Sequence, residues 1–150
     1  MDIELFSKDI EDKRFKREFF KNNLLKEAYL IGAYSVAIID SSNNEKGKVV
    51  SKNSSFKKWL SNKTIDKRNL LIIFEKAYKY ERMFQLDSVR NVDLRSLVTK
   101  FGSKVSKNDG KLTLKQELSF AFILGFDEYR EFKKDNPYIE NKNKENDSEK

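Results

Sequence analysis

Apolar positions recur every three or four residues along most of the chain, the period of helices with one buried face. The strongest such stretch runs from Leu24 to Ile39. There Leu24, Leu25, Ala28, Tyr29, Ile31, Gly32, Val36 and Ile39 predict a central helix. Ahead of it, Phe15/Phe19 and Phe20/Leu24 are i,i+4 pairs that extend a helical face. Ser7 is placed to cap a first helix, with Asp9 and Glu11 near its positive end. Asp40-Ser-Ser-Asn-Asn predicts the end of the central helix, and residues 40–53 read as a mobile loop. Ser54 or Ser55 then caps a short helix carrying Phe56, Trp59 and Leu60.

A further helix is expected from about Asp66 to Leu86, with Leu70, Ile73, Phe74, Ala77, Tyr78 and Phe84 inward. Leu94, Leu97, Val98, Phe101 and Val105 form the next face. Residues 102–112 read as a second polar loop. Thr113-x-x-Gln116 fits a capping box opening the last helix, which continues through Leu114, Leu118, Ala121, Phe122, Leu124, Gly125 and Tyr129 until Pro137 stops it. The pattern predicts an all-α fold, a single bundle of five or six helices over residues 1–138. Residues 139–150 hold one apolar side chain, Ile139, and read as a disordered polar tail.

An internal echo links two of these helices. Ala28-Tyr-Leu-Ile-Gly32 resembles Ala121-Phe-Ile-Leu-Gly125. A glycine inside a helix costs about 1 kcal/mol against alanine and is tolerated where another backbone comes close. We therefore expect the two helices to cross near Gly32 and Gly125; the alternative is a coincidence between two apolar segments.

Composition sharpens this reading. Only 5 Gly and 1 Pro interrupt 150 residues, which suits long helices. With no Cys and no His, the chain has no disulfide, no thiolate nucleophile, no Ser-His-Asp triad and no His-ligated metal. No phosphate-binding loop, dinucleotide fingerprint or nucleophile elbow is present. Glu75, Glu81 and Asp87 could be assembled into a magnesium site, but they read as part of a solvated helix face. We expect no enzyme, no cofactor and no metal. No apolar run approaches the roughly 20 residues of a membrane span, and the start is unlike a signal peptide, so a soluble cytoplasmic protein is expected.

Charge carries the functional signal. Lys46, Lys48, Lys52, Lys57, Lys58, Lys63, Lys67 and Arg68 face one acid, Asp66, and this stretch equals the net charge of the whole chain, +7. Phe56 and Trp59, the only tryptophan, lie within it. Clustered ammonium groups neutralise phosphates, and interleaved rings can take a base face; the Phe-x-x-Trp-Leu pattern is, however, that of a buried helical face, so Trp59 reads first as an inward anchor. A second cluster, Lys100, Lys104, Lys107, Lys111 and Lys115, surrounds only Asp109, and Lys13, Arg14, Lys16 and Arg17 make a third. Lysine dominates and no base-reading signature stands out, so phosphate contact without sequence preference is expected.

Four segments together resemble a known family. Ala28-Tyr-Leu-Ile-Gly32, Ser55-Phe-Lys-Lys-Trp-Leu60, Leu70-Leu-Ile-Ile-Phe-Glu-Lys-Ala77 and Glu117-Leu-Ser-Phe-Ala-Phe-Ile-Leu-Gly125 are similar to the C-terminal helical domain of the large subunit of type I-B CRISPR interference complexes (Cascade). In that family the same region can be produced as a separate small subunit by internal initiation, and this chain is similar to such a product. The resemblance implies a non-catalytic bundle lying beside the guide RNA–target DNA hybrid and the displaced single-stranded DNA. Implied partners are the large subunit, the backbone subunits and further copies of the chain. Carried onto this sequence, the implied contacts are Lys52, Lys57, Lys58, Lys63, Lys67 and Arg68. Lys104, Lys107 and Lys111 join them from the second basic cluster. Other readings are the small subunit of a type III RNA-targeting complex, a basic protein–protein adaptor, and a metal-dependent nuclease.

Overall fold

A helix that is apolar on every side must be buried on every side, and the Leu24–Ile39 stretch meets that requirement by becoming the hub of the fold. In the computed structural model, the residues described are 6, 8, 10, 15, 17–20, 22–43 and 50–136. They form six α-helices and no strand: α1 (Asn23–Asn43), α2 (Val50–Ser61), α3 (Lys67–Met83), α4 (Val89–Gly102), α5 (Lys107–Leu112) and α6 (Lys115–Asp135). Every residue from Ala28 to Ile39 is buried. Among the described residues α1 packs most extensively on α6, then on α4, α3 and α2, while the outer helices touch one another little apart from α2 against α3. The molecule is an all-α bundle wrapped around one apolar axis.

Cross-links fix the direction of each outer helix. The side chain of Asn22 reaches Thr113 at one end of α1, and Asp40 accepts from Arg130 near the other, so α6 runs in the same sense as α1. Tyr34 meets Glu81 while Glu27 feels the charge of Lys67, so α3 is also parallel to α1. Asn91 donates to Ser41, and Gly102 abuts Glu27, so α4 runs back. Ring contacts of Phe56 with Tyr80 and of Lys76 with Trp59 set α2 antiparallel to α3.

The expected crossing is present. A Cβ at Gly32 would overlap the backbone carbonyl oxygen of Phe122 and lie 2.9 Å from its carbonyl carbon. One at Gly125 would overlap the carbonyl oxygen of Tyr29 and lie 2.7 Å from its carbon. The two helices thus meet backbone to backbone, and the relation is reciprocal: Gly32 faces the residue after Ala121, and Gly125 the residue after Ala28. Both alanines are fully buried. The sequence echo is a local two-fold relation between α1 and α6, built from small residues four apart.

Several boundaries differ from expectation, each for a local reason. α1 continues through Asp40 to Asn43, and α2 begins at Val50, so the loop expected over 40–53 is helical at both ends. Ser54 and Ser55 therefore lie inside α2 rather than capping it; Ser55 Oγ instead accepts from Tyr80 Oη at 3.3 Å. The segment expected to extend a helical face before α1 is broken: Phe15 lies in a turn, Glu18–Phe20 form a 3-10 turn, and Asn22 Oδ1 caps α1 by accepting from Leu25 N at 2.9 Å. Phe15 and Phe20 are nonetheless buried, both edge-on to Tyr29.

Residues 102–112, expected as a loop, contain α5. Ser106 Oγ accepts from Asp109 N, and Asp109 Oδ2 accepts from Ser106 N at 2.9 Å, a reciprocal capping box that stabilises a single short turn of helix. The helix start expected at Thr113 is displaced by one residue, and only half of the box forms there. Thr113 Oγ1 donates to the Asp109 carbonyl and accepts from Asn22 Nδ2, each at 2.5 Å, so its hydroxyl is engaged elsewhere. Leu114 takes the cap position, its N–H held by Glu117 Oε1 at 3.0 Å, and its side chain is exposed. α6 ends at Asp135, short of Pro137. The tail expected at 139–150, the cap expected at Ser7 with Asp9 and Glu11, and Lys13, Arg14, Lys16, Lys46 and Lys48 lie outside the described residues.

Candidate nucleic-acid interface

Whether a lysine can meet a ligand depends first on whether a neighbouring acid already holds it. Each of the two larger basic stretches contains one acid, and both acids are occupied by backbone. Asp66 Oδ1 accepts from Asn69 N at 2.8 Å and caps α3. Asp109 closes the capping box of α5. The local sequence thus uses the carboxylates of these two stretches to start helices.

Lys57, Lys58, Lys63, Lys67, Arg68, Lys104, Lys107 and Lys111 are all exposed. Among the described residues, the ion pairs within 4.0 Å join Arg95 to Glu81, Arg130 and Lys133 to Asp40, and Lys134 to Glu131; none of those eight cations takes part. Lys52 lies in α2, and its side chain is outside the description.

The fold brings two groups together. Lys67 reaches across to α5, its Nζ 3.1 Å from where a Cβ on Gly110 would stand, between Lys107 and Lys111 in sequence. Lys104 closes the same end of the bundle, its carbonyl accepting from Asn23 Nδ2 at 3.1 Å. This joins the two basic stretches that are some forty residues apart in the chain. The second group surrounds Trp59: Lys63 Nζ lies 4.9 Å from the ring centroid and Lys76 Nζ 5.2 Å. Lys57 and Lys58 lie on the outside of α2 beside this second group, and no contact ties them to α5.

Helix direction adds to the charge. α1, α3 and α6 all start at the end occupied by Lys67 and Lys104, and a helix N-terminus carries a partial positive charge from its unpaired N–H groups. Lys67 and Arg68 open α3, Lys107 opens α5 and Lys115 opens α6. Cations at these positions oppose the helix dipole. Beneath them Glu27 is half-buried; burial raises its carboxyl above the ordinary range, and Lys67 partly pulls it back.

The opposite end follows another rule. Asp40 accepts from Arg130 Nη2 at 2.7 Å and Lys133 Nζ at 2.8 Å. Burial pushes its carboxyl up, but these hydrogen bonds outweigh it and hold Asp40 below the usual range. Glu81, 1% exposed, accepts from Tyr34 Oη at 2.5 Å and from both Arg95 Nε and Nη2 at 3.2 Å. Burial first, and then the bond to Glu81, push the Tyr34 hydroxyl far above its ordinary range.

No family model, curated protein or solved structure matches this chain. Its chemistry therefore has to be read from its own residues. Of the three carboxylates considered for magnesium, Glu81 is consumed by Tyr34 and Arg95. Asp87 shares with it a cavity of about 320 Å³ that also holds Arg82 and Arg95, and exposed Glu75 is not part of that lining. Among the described residues no group of three or more acids is placed to hold a metal ion, and no helix is long and apolar enough to cross a membrane. Sequence reasoning missed Lys76 as a partner of Trp59. It lies in an amphipathic helix whose period marks it only as polar.

Proposed function

We propose that this chain is a non-catalytic nucleic-acid-binding subunit that holds phosphate backbone without reading sequence. The observation that supports this reading is the set of eight exposed cations that join no ion pair among the described residues, together with the helix-capping role of Asp66 and Asp109. Ammonium groups that are neither paired nor buried release counterions on meeting phosphates, which supplies sequence-independent affinity. Lysine acts there as a point charge, and no planar bidentate reader is required. The protein supplies a rigid helical scaffold and electrostatics, and any sequence reading falls to base pairing elsewhere.

The assembly in which it would act is proposed from the four resembling segments alone: a small subunit of a type I CRISPR interference complex, resting against the guide RNA–target DNA hybrid and the displaced strand. Two experiments separate these levels. Replacing Lys57, Lys58, Lys63 and Lys67 by Glu is expected to weaken binding of a labelled single strand roughly a hundredfold, with the circular dichroism spectrum unchanged. Unchanged affinity would remove the surface from the account, and preferential binding to an acidic protein would favour the adaptor reading. Mass spectrometry of the tagged chain purified from its native cell is expected to show CRISPR backbone subunits and guide RNA. Type III subunits, or no such proteins, would reject the assignment.

A further inference from the structure

We propose that Trp59 is a stacking platform for an unpaired base, with Lys63 and Lys76 receiving the flanking phosphates, so that a single strand engages the ring and a duplex meets only the lysines. The inference rests on the polyanion-binding reading above and names the form of nucleic acid that reading leaves open.

The ring packs against the core without being buried in it. Trp59 is half-buried, stacked against buried Phe56 with centroids 6.2 Å apart and planes 19° from parallel. Phe56 continues to Tyr80 at 5.1 Å, and Tyr80 to Phe84 at 5.3 Å, so the indole is the end of a run of four rings along the α2–α3 seam. That run fixes its position. Lys63 and Lys76 bring their ammonium groups to 4.9 and 5.2 Å from the ring centroid.

Two ammonium groups over one indole repel each other, and neither has an ion-pair partner among the described residues. Cation–π attraction at an exposed ring is weak, and a base stacked on an aromatic side chain is held more strongly. An incoming strand can therefore exchange both contacts at once: the base takes the ring, and the ammonium groups swing to the phosphates on either side. Duplex bases already stack on one another, so they do not present a face to the ring. Stacking on an indole tolerates any base, consistent with contact that does not read sequence.

Because Trp59 is the only tryptophan, its emission reports this site in the full chain. Titration with oligothymidylate is expected to quench the emission. A duplex of the same length and an abasic single strand should bind, by polarization of a fluorescent label, without quenching. Trp59→Phe should retain most of the affinity for oligothymidylate, and Trp59→Ala should lose about tenfold while its affinity for the abasic strand stays unchanged. Lys63→Gln with Lys76→Gln should weaken all three ligands alike. Oligothymidylate that binds without quenching overturns the platform and leaves the polyanion reading standing. So does equal quenching by the abasic strand, which would mean that the indole senses only the movement of its lysines. Failure of all three ligands to bind overturns the polyanion reading itself. If Trp59→Ala lowers the melting temperature, Trp59→Phe and the abasic comparison on the native chain still decide.

Discussion

The two ends of this bundle treat charge in opposite ways. Where α1 and α6 finish, carboxylates are matched to cations: Asp40 to Arg130 and Lys133, and Glu81 to Arg95. Where the same helices begin, Lys67, Lys104, Lys107 and Lys111 crowd together, and the nearby acids are turned to backbone caps or half-buried. Charges at the first end are part of the folded structure. Those at the second join no ion pair among the described residues, and Lys67 and Lys107 oppose the dipoles of the helices they open. The difference separates charges that are paired within the fold from charges that stay exposed.

The crossing at Gly32 and Gly125 is the waist between these ends, and perturbing it should have the largest effect. Gly125→Ala places a methyl group into the Tyr29 carbonyl. Backbone cannot yield as a side chain can, so a loss of about 3 kcal/mol or more is expected in denaturant melts. A loss below about 1 kcal/mol would mean that α1 and α6 do not touch there.

At the paired end, Glu81→Gln removes the charge facing Arg95 in a buried site, and a loss of about 2–3 kcal/mol is expected from thermal denaturation. Asp40→Asn should cost less, about 1 kcal/mol, because Arg130 and Lys133 keep some access to water. Its pH dependence carries the test. The folded-state carboxyl is held low, so its stabilisation is present above the unfolded value near about 4 and is lost as pH falls through the folded value. The stability gap between the native chain and Asp40→Asn should be full at neutral pH and should close in acid. A gap independent of pH would show that the ion pair is not its source.

At the unpaired end the sign reverses. Arg68→Glu and Lys115→Glu put acids at helix N-termini and should raise stability by about 0.5 kcal/mol each while weakening binding to a single strand. Loss of stability on these reversals would mean that the cations are structural after all.

Much of this contrast was legible in the chain. The apolar stretch of α1 had to be central, and the paired Ala-x-x-x-Gly segments located the crossing, because only close backbone approach makes a mid-helix glycine worth its cost. The excess of lysine was visible too. Helix starts were less so. Ser106-Lys-Asn-Asp109 carries a capping-box pattern, but Gly110 and the surrounding polar residues give the segment the composition of a loop. Thr113 misled in the other direction, since its hydroxyl is claimed by Asn22, a residue 91 positions away. The approach of Lys67 to α5 and of Lys76 to Trp59 depends on helix packing, which no local pattern encodes.

The most direct test is the salt dependence of single-strand binding by the native chain. If five or six exposed cations neutralise phosphates, log affinity against log salt should be linear with a slope of about −4. The variant carrying Lys57→Glu, Lys58→Glu, Lys63→Glu and Lys67→Glu should lose most of that slope while keeping its helical circular dichroism spectrum. A slope near zero, or one that survives the reversal, would contradict the claim that these cations are held free for a polyanion.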